Sequence, residues 1–209
     1  MWSWQAPLFP ELDHLLDASA PPPGQGRRAR LRELFRDEPE FCALLAEQPW
    51  RLDAVLGAAY RHGRTEVPVP GERLADVVLL GSASGGPGCP VAVLEAQFGR
   101  SDDDHFGRLQ GCYAPGVDAT LAALVAESCR LEHIWLAQAL TEVGPTAFMM
   151  VEAVLWDLGA NRWRLELSRC PPQGLLSLLP PDDVLAVVGV PQPPPRRARL
   201  HAAGTTLPF

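Results

Sequence analysis

Val91-Ala92-Val93-Leu94-Glu95-Ala96-Gln97-Phe98 is an apolar run broken only at Glu95 and Gln97. A run of this length, rich in valine and bounded by glycine and proline, reads as a strand. Its two polar groups stand at i and i+2, so they share one face. Both faces are otherwise apolar, and the strand is expected to be buried on both sides. An ionised carboxylate in such a place costs several kcal/mol unless it is paired or bound to a metal. The preceding strand, Leu74-Ala75-Asp76-Val77-Val78-Leu79-Leu80, has an acid near its start and is otherwise wholly apolar. Two carboxylates on neighbouring strands suggest a shared cation. The alternative is that Asp76 and Glu95 merely sit where their strands emerge into solvent, and spacing alone leaves both open.

Working outward, Ser101-Asp102-Asp103-Asp104-His105-Phe106-Gly107-Arg108 follows at once. Ser101 can cap a helix there, and acids in a first turn favour its positive end. The helix is expected from Asp103 to Tyr113, with His105 on its first turn and directed back toward the strand ends. A strand at Leu121–Ala126 and a helix at Leu131–Leu140 come next. Strands Phe148–Leu158 and Trp163–Leu167 then turn at Gly159-Ala160-Asn161, and Asp182–Val190 adds a short one. Upstream, Glu66–Val69 is a strand, and Gly81 to Pro90 is a flexible connection. Before it, Ala29–Phe35, Glu38–Gln48 and Leu52–Tyr60 read as helices. The order predicts an α/β protein with a mixed central β-sheet flanked by helices. It divides into an N-terminal helical segment packed on the core (1–64), an α/β core (65–190) and a proline/arginine-rich C-terminal tail (191–209).

Composition bounds the chemistry. The 209 residues include 18 basic and 25 acidic side chains, a formal charge of −7. Every basic residue is arginine, so enzymes that need a lysine at a fixed place, such as Walker-A NTPases and protein kinases, are excluded. The excess acid lies in residues 65–170, which hold 7 arginines against 14 acids. Such a chain is not held on nucleic acid mainly by basic charge. The five cysteines form no C-x-x-C pair, and Met1-Trp2-Ser3-Trp4 has neither a basic n-region nor an apolar h-region. Reduced thiols, a cytoplasmic setting and no membrane partner are the expectations.

An acid, then Glu-x-Gln on the next strand, then a polar helix start resembles the PD-(D/E)XK nuclease superfamily. More narrowly, the chain is similar to a family of small bacterial proteins whose signature reads E-N-Q, a short spacer, then S-D-H-D-H-L-G-K. Here Glu95-Ala96-Gln97 and Ser101 to Arg108 carry the likeness, with Ala96 for Asn, Asp103 for His and Arg108 for Lys. Glu66 upstream, Tyr113-Ala114 and Glu132-His133 also fit, and the likeness covers about residues 65–170. The resemblance implies a restriction-endonuclease-like fold and a Mg²⁺-dependent (or Mn²⁺-dependent) endonuclease, with DNA as the first partner and RNA as the second. Asp76 and Glu95 would hold the metal, with Gln97 and His105 completing the catalytic set. Glu66, Asp102, Asp104, Arg108 and Tyr113 would support it. Gln97 stands where the superfamily usually has lysine, and its amide orients water but carries no charge. That departure, the acidic charge and the proline-rich ends favour an alternative, an inactive nuclease-fold module that binds or assembles with a protein partner.

Other constellations are weaker. Cys129-x-x-x-His133 has helical ligand spacing but lacks the further ligands zinc requires, and reads as a core thiol beside an ordinary histidine. Trp135, Trp156 and Trp163 read as packing residues.

Overall fold

The strands expected on either side of Asp76 and Glu95 are present in the computed structural model, which describes residues 26–81 and 89–170. Along the chain come β1 (Arg27–Ala29), helices α1 (Glu38–Glu47) and α2 (Asp53–Leu56), then a meander of β2 (His62–Val69), β3 (Arg73–Leu80) and β4 (Val91–Arg100). Helix α3 (Asp103–Arg108), β5 (Leu121–Ser128), α4 (Leu131–Val143), β6 (Ala147–Gly159) and β7 (Arg162–Cys170) follow. One mixed sheet of seven strands results, ordered β1-β6-β5-β4-β3-β2, with β7 also on β6. The meander pairs antiparallel, β4, β5 and β6 run parallel, and β7 returns antiparallel. One edge of β6 is shared, since Ala147 to Glu152 pair with β5 and Leu155 to Asp157 pair with β1.

Helices cover both faces, which explains why the parallel strands are apolar on both sides. On one face α1 sets Phe41, Leu44 and Leu45 against Val77, Leu79, Leu94 and Val125. On the other, Phe106, Leu109, Tyr113 and Ala137 cover Val78, Val93, Leu124 and Met150. Leu79, Leu94, Leu124 and Met150 are fully buried. Each contributes roughly 1.5–3 kcal/mol, enough together to offset a buried carboxylate among them. α1 lies so close to β2 that a Cβ on Gly63 would meet the Ala46 backbone at 2.2 Å, and only glycine fits.

The N-terminal reading needs correction. Ala29–Phe35 is not a helix: β1 ends at Ala29, Arg30 is extended, and only a 3₁₀ turn, Leu31–Glu33, follows. The cause is tertiary, because β6 pairs with β1 and the Glu127 carboxylate accepts the Leu31 N–H at 2.6 Å. The helix expected over Leu52–Tyr60 covers only Asp53–Leu56 and stops at Gly57, whose φ is +73°. Residue 64, the end of the expected N-terminal segment, lies within β2. The strand expected at Asp182–Val190, the tail, residues 1–25 and most of the Gly81–Pro90 connection lie outside the described residues. Among the described residues no helix is long and apolar enough to cross a membrane.

Candidate functional site

Pairing between β3 and β4 runs from Leu80 opposite Val91 to Val77 opposite Leu94, and there it stops. One step further in the same register, Asp76 would face Glu95. Instead, Oδ2 of Asp76 accepts the Ala96 N–H at 3.0 Å, so a side chain takes the place of a ladder bond. Across β3, pairing with β2 likewise skips Glu66, which stands opposite Asp76 at φ +51°. Asp76 therefore lies where the ladders on both sides are interrupted. An interrupted ladder lets a carboxylate enter the sheet without stranding a backbone donor.

Glu95 is 0% exposed. A strand-end acid in solvent does not describe it. Its Oε1 accepts from Arg108 twice, from Nε at 3.1 Å and Nη2 at 2.5 Å. Its Oε2 is buried and has no hydrogen-bond partner among the described residues. Burial, with the charge of Asp76 second, pushes the Glu95 carboxyl up to about 8 despite the arginine. Burial also raises Asp76, against the Ala96 N–H and Arg108, which favour its ionised form. Arg108 ends α3, and the helix continues through a π-helical turn, Leu109–Tyr113, in which the Ala114 N–H reaches back five residues to Leu109 O. That wider turn carries Tyr113, buried on the same side of the sheet and within electrostatic range of Arg108 and Glu95.

Gln97 shares the face of Glu95 but works on the following turn. Its Nε2 donates to Arg100 O at 2.8 Å and to Asp102 Oδ2 at 3.2 Å, and its Oε1 accepts the Asp102 N–H at 3.1 Å. Asp102, not Ser101, caps α3: Oδ1 accepts the His105 N–H at 2.9 Å and lies 2.8 Å from His105 Nδ1. Against the effect of burial, these hydrogen bonds hold Asp102 below the usual carboxylate range. The turn is possible because Gly99, at φ +81°, forms a bulge in β4 and donates to Glu127 Oε2 at 2.6 Å.

Ser101 is turned inward instead, 2% exposed. Its hydroxyl oxygen accepts the Arg130 N–H at 2.8 Å and lies 2.9 Å from His133 Nδ1. His133 Nε2 reaches Asp103 Oδ1 at 2.8 Å, and Phe106 stacks on the imidazole at 5.2 Å. This Ser-His-Asp relay ties the start of α3 to the start of α4. With serine and histidine both buried, it fixes position and offers no exposed nucleophile.

Of the residues expected from the sequence, Asp76, Glu95, Arg108 and Tyr113 come together, and His105 lies within electrostatic range of Asp76. Gln97 and Asp102 form the adjoining turn. Glu66 and Asp104 are exposed. Sequence reasoning missed Glu38, the first residue of α1. It accepts the Phe98 N–H at 2.8 Å through Oε1 and adds its charge to the field at both Asp76 and Glu95. The run Asp37-Glu38-Pro39-Glu40 reads as ordinary helix capping, and Asp37 does cap α1; only the fold shows that this helix starts beside β4.

Among the described residues no group of three or more His, Cys, Asp and Glu side chains is assembled that could hold a metal ion. Asp76 and Glu95 nevertheless fit a hard divalent cation. Mg²⁺ is commonly held by one or two carboxylates and keeps several waters, and the buried Oε2 of Glu95 lacks any other partner among the described residues. Without a cation, the same carboxyl is built to hold a proton near neutral pH. No family model, curated protein or solved structure matches this chain.

Proposed function

We propose that this protein is a metal-dependent nuclease of restriction-endonuclease-like fold that hydrolyses phosphodiester bonds, in DNA first and RNA second. The observation that carries the reading is the opened β3–β4 ladder, with Asp76 in the gap and the unpartnered Oε2 of Glu95 beside it. The order α1, β2-β3-β4 meander, α3, then β5 parallel to β4 supports the fold, and Ser101 to Arg108 supports the family resemblance. Asp76 and Glu95 would hold Mg²⁺ or Mn²⁺, which when bound supplies charge stabilisation on the phosphate and an activated water. Arg108, with a side chain about one-third exposed, supplies a cation that Gln97 lacks. Its guanidinium orients the Glu95 carboxylate and can face a phosphate oxygen. His105, held by Asp102, orients the face of α3 nearest Asp76.

A second reading is an inactive nuclease-fold module serving as a binding or assembly subunit. One observation favours it: both ends of the Gln97 amide are committed to the turn, so neither is free to orient water. The test uses the full chain with labelled single-stranded DNA, double-stranded DNA and RNA, in Mg²⁺ and in Mn²⁺, alongside calorimetric metal titration. An active nuclease cuts at least one polymer only with metal, and Asp76→Asn abolishes cutting. Metal binding with no cutting of any polymer selects the inactive module. Absence of metal binding removes both the cofactor and the nuclease.

A further inference from the structure

Away from this site, helix α4 is apolar on more than one face. The face packed on the sheet carries Ala137 and Leu140, with Ile134 and Leu136 beside them and His133 stacked on Phe106. A second stripe, Leu131, Trp135, Ala139 and Val143, recurs at i, i+4 spacing and belongs to neither side of the core. Its ends are open, with Leu131 49% exposed and Val143 46%. Its middle is closed. Ala139 is only 5% exposed, and Trp135 Nε1 is buried with no hydrogen-bond partner among the described residues. A buried indole N–H ordinarily finds an acceptor, and an apolar stripe of this kind marks a contact surface. Open ends with a closed middle fit a short occupant that brings an acceptor with it.

The chain itself offers one. The described residues end at Cys170, the last residue of β7, with residues 171–209 still to follow. Cys170 lines a cavity of about 170 Å³ together with Ile134, Ala137, Gln138 and Thr141 of α4. The chain therefore leaves the sheet beside α4. Pro171-Pro172-Gln173-Gly174 comes next, then Leu175-Leu176-Ser177-Leu178-Leu179, an uncharged apolar run closed by Pro180-Pro181. Five extended residues span about 16 Å, and a helix with its side chains is about 10 Å across. The leucines thus begin within reach of the stripe. Asp182 and Asp183 follow, and two charges are poorly suited to an apolar seat.

We propose that residues 175–179 fold back across α4 as an intrachain strap, their leucines seated on Trp135 and Ala139 and one of their backbone carbonyls accepting from Trp135 Nε1. The strap closes the middle of the stripe and leaves Leu131 and Val143 open, as their exposures require. It also ties the end of β7 to the outer face of the helix that packs on β6.

The test uses the full chain with the photo-crosslinking residue p-benzoylphenylalanine in place of Leu178. Ordinary and ¹⁵N-labelled protein are mixed in equal amounts, irradiated and cleaved after arginine. Cleavage leaves α4 within residues 131–162 and the leucine run within residues 170–196. The expected product joins these two peptides at or beside Trp135 and Ala139, and both halves always carry the same isotope. Pairs of mixed isotope would show that a second copy covers the stripe. Attachment only outside α4, or no attachment, would leave the strap without a seat. Each of these results overturns the proposal. A second measurement needs no crosslinker. In full chain carrying Leu175→Asp and Leu176→Asp, hydroxyl radicals should label Trp135 severalfold more than in wild type, while buried Tyr60 stays protected. Equal labelling of Trp135 overturns the proposal as well. Should Tyr60 also become labelled, that double variant has unfolded, and the crosslink decides alone.

Discussion

Replacing Glu95 with glutamine should abolish a large loss of stability at alkaline pH. The carboxyl is fully buried, and its proton leaves at about 8 in the folded protein against 4.5 for an ordinary glutamate. The folded state thus binds this proton more tightly than the unfolded chain does. Its contribution to stability is complete below pH 4.5 and is lost as pH rises through about 8. At about 1.4 kcal/mol per pH unit, the interval between those two values corresponds to roughly 5 kcal/mol. Asp76, raised in the same direction, acts with the same sign. Glutamine keeps an oxygen for Arg108 to donate to but has no proton to lose. Urea denaturation of both proteins between pH 5 and pH 9 tests this. Wild-type stability should fall relative to Glu95→Gln at up to about 1.4 kcal/mol per pH unit, leaving the variant more stable at pH 9. Parallel curves, agreeing within about 0.5 kcal/mol, would show that Arg108 keeps Glu95 ionised throughout, and the reasoning from burial would be wrong. Added Mg²⁺ at pH 8 should recover part of the wild-type loss and leave the variant unchanged.

Other substitutions test separate parts of the site. Asp76→Asn retains an acceptor for the Ala96 N–H and removes a like charge from Glu95, so metal-free stability at pH 8 should rise by about 1 kcal/mol while any Mn²⁺-dependent gain in Tm disappears; an unchanged metal response would place the ion elsewhere. Gln97→Lys can still donate to Arg100 O but cannot accept the Asp102 N–H, and should lower unfolding free energy by about 1–3 kcal/mol; equal stability by denaturant titration would mean that the turn holds without the amide. Ser101→Ala removes the buried acceptor of the Arg130 N–H and the partner of His133, for a loss of about 1–3 kcal/mol, with faster amide exchange at the start of α4 as its local signature. Gly99→Ala forces a Cβ into a left-handed φ in otherwise open space, and should cost about 1–2 kcal/mol, measured as a lower Tm.

Strands around the site were legible because their cause is local. Alternating or wholly apolar runs mark β3 through β7, and the turn at Gly159-Ala160-Asn161 has all three residues at positive φ. The shared face of Glu95 and Gln97 followed from strand period alone. Where long-range partners decide, the sequence misled. Ala29 to Phe35 reads as a helix, yet β6 and Glu127 draw its start into a strand end and a single 3₁₀ turn. Glu38 did not stand out among the acids because nothing local says that α1 begins beside Phe98. Gln97 was placed on the correct face, but its amide was assigned to water when the turn behind it takes up both ends. The capping of α3 by Asp102 was missed for a similar reason: Ser101 is the better-looking cap until His133, distant in sequence, claims its hydroxyl.

The division of one edge of β6 between two strands constrains the order of assembly. β1 is made well before β6, yet among the described residues its pairing is with the far half of β6, and Arg27 meets Asp157 across 130 residues of chain. At ribosomal rates of about 5–20 residues per second, β1 waits roughly 7–25 s before its partner exists. After that wait, β1 and the far half of β6 are brought together by closure of a long loop, which makes this docking a late and slow step. Circular permutation that moves residues 26–36 to follow β7 would shorten that separation. Faster refolding of such a permutant, with unchanged final stability, would identify β1 docking as the step that limits folding.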